Sequence, residues 1–195
     1  MRATLSGVIS LALVLASAAA SPSTIARRSS ACDGLGSNAF DDTTRNFLLG
    51  VSDGTTVNSQ SLVVADPRSG APIKVLGTLA THQNVPFATS FGLQNGALTP
   101  LFNAAGPVAQ PVAAGSFVSF AQGSTTPASV YCAVPQDGTN ITLLAVNGDT
   151  DSFALCAEKE ANPAFNVFSL VYKPDAGSSE YLFDTCRSGK VRVIF

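Results

Sequence analysis

The stretch FGLQNG (residues 91–96) runs apolar, Gly, apolar, polar, Asn, Gly. LGVSDG (49–54) follows the same pattern position for position, and LAVNG (144–148) follows it with one residue missing. Asn-Gly and Asp-Gly favour the positive φ that two-residue hairpin loops require, so each copy reads as a strand delivered into a turn. The copies begin at Leu49, Phe91 and Leu144, at intervals of 42 and 53 residues. Three units of that size suit a β-trefoil-like pseudo-threefold barrel, in which three four-stranded modules close on one another. A β-sandwich is the alternative.

The rest of the chain agrees with an all-β class. IKVLGTL alternates Ile73, Val75, Gly77 and Leu79 on one face, and SFVSFAQ, SVYCAV, FNVFSLVY and KVRVIF are short runs rich in Val, Phe and Tyr. Pro and Gly punctuate nearly every connection. CAEKEANPAF (156–165) is the best helix candidate, and Pro163 would stop it within two turns.

The first twenty residues read as a signal peptide: Arg2, then the apolar run GVISLALVLA, then small residues offering cleavage near Ala20. The run is shorter than the roughly 18 residues a membrane span needs. Residues 21–28 are a candidate propeptide, because Arg28 closes an Arg-Arg pair of the kind that kexin-type proteases cut. The competing reading is two solvated arginines. Residues 29–195 then form a single all-β domain, large enough for a substantial core. The charged tail CRSGKVRVIF excludes a lipid-anchor signal. The expected location is therefore extracellular or at the cell wall.

All 13 acidic residues lie beyond residue 28, whereas three of the 11 basic ones do not. The mature part thus holds eight basic against 13 acidic residues, a net charge of −5. That balance gives no electrostatic footprint for nucleic acid or anionic membrane, and a monomer is expected. Four cysteines in a secreted chain imply two disulfides, and spacing alone does not choose among three connectivities. The expected pairing is Cys156–Cys186, clipping the last strands together, which leaves Cys32–Cys132. A zinc site is disfavoured by the absence of C-x-x-C and the single histidine.

Candidates for chemistry are few. His82, in ATHQNVP, is the only histidine, so any Ser or Cys nucleophile would need it as base. Its polar neighbours suggest a solvated loop residue. A glycosidase needs only two carboxyl groups, with Asp41, Asp42, Asp149, Asp151, Glu158, Glu160 and Asp184 as candidates. No Trp is present to stack on sugar, which leaves Tyr131, Tyr172 and Tyr181 for that role. Asn147, Asp149, Asp151 and Glu158 stand at positions 1, 3, 5 and 12 of an EF-hand-like calcium loop. Ser152 occupies the position where that loop needs Gly, so SFALC reads better as the return strand of a hairpin. Asn140-Ile141-Thr142 is the one N-glycosylation sequon.

GDTDSFALC (148–156) resembles the G-D-x-D-x-F-x-x-C signature of the C-terminal domain of PIR-type fungal cell-wall mannoproteins. FGLQNGALT, PASVYCAV and CRSGKVRVI fall in the same order as further matches, over roughly residues 87–195. The whole chain is more similar to small fungal secreted proteins with C-x-G-L-G-x-x-A-F-D after the signal, here Cys32 to Asp41, a group without an assigned activity. The resemblance implies a secreted, wall-associated, non-catalytic β-domain with Cys156 and Cys186 as disulfide partners. It does not imply the covalent linkage of PIR proteins to glucan, because no glutamine here sits in a D-G-Q repeat.

The expected function is thus a secreted non-catalytic β-domain of the cell wall or extracellular matrix, structural or weakly glycan-binding, with no cofactor. Its partners would be wall polysaccharide or an extracellular protein. One alternative is a trefoil-type protease inhibitor or effector acting through TPLFNAAGPVAQ (99–110). Another is a carboxylate-based glycoside hydrolase.

Overall fold

The computed structural model describes residues 30–52, 59–67, 72–82, 88–101, 106–123, 126–159 and 167–195. A 3-10 turn at Ser30–Cys32 precedes β1 (Leu48–Ser52), β2 (Gln60–Ala65) and β3 (Ile73–Thr78). Next come β4 (Phe91–Gln94), β5 (Ala97–Pro100), β6 (Val108–Ala109), β7 (Ser116–Phe117) and β8 (Ser119–Ala121). The chain ends with β9 (Tyr131–Pro135), β10 (Thr142–Val146), β11 (Phe153–Glu158), β12 (Phe168–Tyr172) and β13 (Tyr181–Ile194). No α-helix occurs among the described residues, and no helix there is long and apolar enough to cross a membrane.

Six strands close a barrel in the order β3, β2, β1, β13, β11, β12, and the single pair Ser169↔Gly77 joins β12 back to β3. Every pairing is antiparallel. Alternation explains which face turns inward. On β13, Val191 and Val193 are buried in the main core while Lys190 is exposed, and on β1 Leu49 and Val51 point inward opposite them. The main core continues beyond the barrel to Phe91, Leu93 and Leu98 of the β4–β5 hairpin and to Tyr131 and Leu144 of β9–β10. β9–β10 joins the wall through Thr142↔Val193 and Leu143↔Arg192.

A second cluster lies on the outside of the barrel: Val75, Phe117, Ala154, Cys156, Val171 and Tyr181. Both faces of β11 and β12 are therefore buried, and so are both faces of β3 over its last four residues. The helix candidate is corrected here. Cys156 and Ala157 pair with Ser169 and Phe168 in a ladder, because sheet partners on both sides outweigh a short helical pattern. Its remainder, from residue 160, lies outside the described residues.

Two copies of the sequence phrase make the turn expected of them. Asn95 and Gly96 have φ of 48° and 77°, and Asn147 and Gly148 have 50° and 79°. Both are the positive values of a type I′ turn, which Asn and Gly tolerate best. The three copies sit differently in the fold. β1 is a barrel strand, β4 belongs to a separate two-stranded sheet, and β10 pairs with β9 and β13.

Candidate functional site

The chemistry-bearing residues that converge are His82, Glu158 and Ser169, at the seam where β12 meets β3. After β3 the backbone N–H groups of Thr81 and His82 both donate to Thr78 O, at 3.1 Å each, which folds the chain back. The imidazole then lies over Gly77, where any Cβ would collide with it. Glycine is required there for that close approach. His82 Nδ1 lies 3.1 Å from Thr78 O and 3.3 Å from Thr81 Oγ1. Its Nε2 faces Glu158 Oε1 at 3.6 Å, beyond hydrogen-bond length.

Glu158 arrives from the end of β11, and its Oε1 accepts the Ser169 hydroxyl at 2.6 Å, the length typical of a hydroxyl on a carboxylate. All three side chains are buried, with residue exposures of 9% for His82, 4% for Glu158 and 0% for Ser169. Thr81 completes the group, bonded to Thr78 Oγ1 at 2.7 Å and accepting from Phe168 N at 3.2 Å. The arrangement is not a nucleophilic triad. Such a triad needs the serine hydroxyl bonded to histidine, whereas here the glutamate takes the hydroxyl. What the cluster does chemically is tie the turn after β3 to β11 and β12, across a seam with one ladder pair.

His82 is therefore not the solvated loop residue its polar neighbours suggested. The space over Gly77 and the buried carboxylate hold it inside. The sugar-stacking role foreseen for tyrosine is likewise overturned, because Tyr131, Tyr172 and Tyr181 are 0%, 3% and 1% exposed. They are core residues: Tyr181 sits edge-on to Phe117 at 5.8 Å and accepts from Asp175 N at 2.7 Å, and Tyr172 packs on Phe153. Burial pushes the Tyr131 phenol well above its ordinary pKa. Its hydroxyl has no hydrogen-bond partner among the described residues. Among the described residues the exposed aromatic side chains are instead Phe183 and Phe195.

The calcium-loop residues disperse. Asn147 Nδ2 donates to Val112 O at 2.9 Å. Asp149 Oδ1 accepts from the backbone N–H groups of Asp151 (2.8 Å) and Ser152 (3.2 Å), a local cap, and its Oδ2 lies 3.4 Å from Lys173 Nζ. Partial burial works to raise its pKa, but hydrogen bonds from Ser152 and Asp151 together with Lys173 outweigh it and hold the carboxyl below its usual value. Asp151 pairs with Lys190 at 3.0 Å. No group of three His, Cys, Asp or Glu that could hold a metal occurs among the described residues.

The other carboxylates are placed individually. Asp42 Oδ1 accepts from Asn95 N at 3.0 Å, supporting the first Asn-Gly turn. Asp41 is half-buried beside it in sequence. Asp184 is exposed on β13, where the register with β11 shifts between Leu155 and Ala157. There Thr185 Oγ1 stands in for a backbone partner, accepting from Ala157 N and donating to Leu182 O. Nothing in the sequence marked Thr185. Glu160 lies outside the described residues.

Cys32 is bonded to Cys132 and Cys156 to Cys186. The first ties the 3-10 turn to β9, and the second ties β11 to β13 beside the register shift. Two disulfides are compatible with an extracellular protein. Asn140 is exposed in the β9–β10 connection. Ala20, Arg28 and the whole signal-peptide and propeptide reading lie outside the described residues, as do residues 102–105 of the loop proposed for inhibition. The far end of that loop is strand β6, paired with β8.

The class this defines is an all-β protein built on a closed six-stranded barrel and cross-linked by two disulfides. No family model matches the chain, and neither does any curated protein or solved structure.

Proposed function

We propose that this is a secreted, non-catalytic β-domain acting at the cell wall or extracellular matrix, structurally or by weak binding of wall glycan. The observation that carries the reading is the use made of the reactive side chains. Ser169, Glu158 and His82 are spent on the barrel seam, Asp42 and Asp149 on turns, and Asp151 on an ion pair. Support comes also from the two disulfides and from the resemblance to small fungal secreted proteins and to the PIR C-terminal domain. Among the described residues, Phe183 and Phe195 are the exposed aromatic side chains a glycan would meet.

Incubation of the purified chain with insoluble β-glucan, chitin and mannan tests this. Retention on at least one, weakened by Phe183→Ala or Phe195→Ala, is expected. Passage through all three unretained overturns the glycan-binding reading. A trefoil-like pseudo-threefold arrangement is the finer description of the fold. Its support is the barrel of six strands and the paired Asn-Gly turns, and its weakness is the unequal placement of the three phrases. Superposing an experimental structure on itself by a threefold rotation decides it.

A further inference from the structure

The two disulfides stand in unlike surroundings. Cys32 and Cys132 are 3% and 0% exposed, packed with Ala31, Ala39, Val134 and Ala145. Cys156 is as deeply buried, within the outer cluster of Val75, Phe117, Val171 and Tyr181, but its partner Cys186 is half-buried at the edge of that cluster. A thiolate therefore has an approach to the second bond, at Cys186, and none to the first while the chain stays folded. Cys186 also lies at the register shift between β11 and β13. Leu155 pairs with Arg187 and Ala157 with Leu182, so residues 183–186 stand against Cys156 alone. Among the described residues, 183–186 make no ladder pair with any strand. The bulge is pinned instead by the disulfide and by Thr185, whose Oγ1 accepts from Ala157 N at 2.9 Å and donates to Leu182 O at 2.6 Å. Leu182 and Phe183, both 42% exposed, ride on it. Ladder pairs flank it on either side, Leu155↔Arg187 on one and Ala157↔Leu182 on the other.

We propose that Cys156–Cys186 is a reversible, thiol-operated latch on this bulge, opened by a small thiol such as glutathione that attacks at Cys186. The glutathione thiolate bonds to Cys186 Sγ as the protein disulfide breaks, and the electron pair leaves on Cys156, which takes a proton from water. A second glutathione thiolate attacks the glutathione sulfur of this mixed disulfide. That step releases Cys186 as a thiolate and carries away one molecule of oxidised glutathione. Two thiols are oxidised and one protein disulfide is reduced. The bulge then loses its covalent pin, while the flanking ladder keeps the two cysteines adjacent, so oxidised glutathione restores the bond by the reverse exchange. Cys32–Cys132 stays closed throughout, because neither of its cysteines is reached. What the latch governs is the presentation of Leu182 and Phe183, fixed when it is closed and mobile when it is open.

The test uses the full chain with both bonds formed, titrated with reduced glutathione and quenched with N-ethylmaleimide. Peptide mass spectrometry is expected to find a species alkylated at Cys156 and Cys186 alone, preceded by one carrying glutathione on Cys186. In the same glutathione buffer, amide exchange at Ala157 and over residues 183–186 should rise on the order of tenfold, with the β4–β5 hairpin unchanged. Excess oxidised glutathione should return the exchange to its starting rate. Alkylation of all four cysteines together, alkylation of Cys32 and Cys132 first, or glutathione found on Cys156 overturns the proposal. So does an opened bond with Ala157 still protected, a failure to recover that protection on reoxidation, or no reduction short of global unfolding.

Discussion

The two Asn-Gly turns begin alike and end differently. After Asn95-Gly96 the chain returns as β5, and four ladder pairs from Gln94↔Ala97 to Phe91↔Pro100 complete a hairpin. After Asn147-Gly148 only Val146 and Asp149 bridge, exchanging backbone bonds of 3.0 Å each way. The chain then leaves, so the return strand expected in SFALC is corrected: β11 pairs with β12 and β13 and enters the barrel wall. The difference is Asp149, whose carboxylate caps the N–H groups of Asp151 and Ser152 and bends the backbone away. An Asn-Gly pair sets the same turn in both places, while a cap and distant partners decide where the chain goes afterwards.

Breaking the distant partners should have the largest effect. β10 is held through β9 by Cys32–Cys132, and the exit strand β11 is held by Cys156–Cys186, with sequence separations of 100 and 30. Loop-closure entropy predicts losses of about 4.7 and about 3.6 kcal/mol for the respective double alanine variants. Urea denaturation measures both. Hydrogen exchange should show β11 loosening in the second variant while the β4–β5 hairpin keeps its protection.

Next comes the destination of the second turn. Glu158→Ala strips the buried Ser169 hydroxyl of its acceptor and removes the carboxylate that faces His82, and should cost about 2–3 kcal/mol. Ser169→Ala should cost less than Glu158→Ala, because the carboxylate keeps His82 beside it. Equal losses would mean that the seam does not depend on the carboxylate.

The turns themselves can be compared directly. Gly96→Ala and Gly148→Ala each force a Cβ into the left-handed region and should each cost about 1–2 kcal/mol. Similar values support a turn set locally in both regions. A much larger loss at Gly148 would show that the second turn is instead dictated by the barrel.

Tyr131 joins the two regions, donating its N–H to Gly96 O at 2.9 Å and pairing with Val146 in the ladder. Tyr131→Phe keeps both and removes an unpartnered buried hydroxyl, so thermal unfolding should show a gain of about 1 kcal/mol. The smallest effect belongs to the charge of Asp149. Because its pKa is lower in the folded chain, it adds stability above the unfolded carboxylate value of about 4, and that stability is lost as pH falls through the folded value. Asp149→Asn retains the capping oxygen and should lose under about 1 kcal/mol at neutral pH. The variant should also show a flatter stability profile below about pH 4.

Much of the wall was legible. KVRVIF and SVYCAV, short runs rich in Val, Phe and Tyr, became the end of β13 and strand β9, and the Asn-Gly pairs announced their turns. The candidate site was not. His82 sits among polar residues in sequence, and only the missing side chain of Gly77, five positions earlier, makes room for it. Glu158 resembled a metal ligand because spacing along the chain is blind to which face of a strand is covered. The tyrosines misled for the same reason.

What the sequence by itself determined was local: strand period, positive-φ turns, an acidic charge balance, and cysteines enough for two cross-links. These depend on a residue and its near neighbours. The tertiary structure alone decided that β12 meets β3, that a glutamate from one strand is shared by a serine and a histidine from two other segments, and that the second turn opens instead of closing. Those outcomes depend on burial, and burial is a property of which distant faces come together.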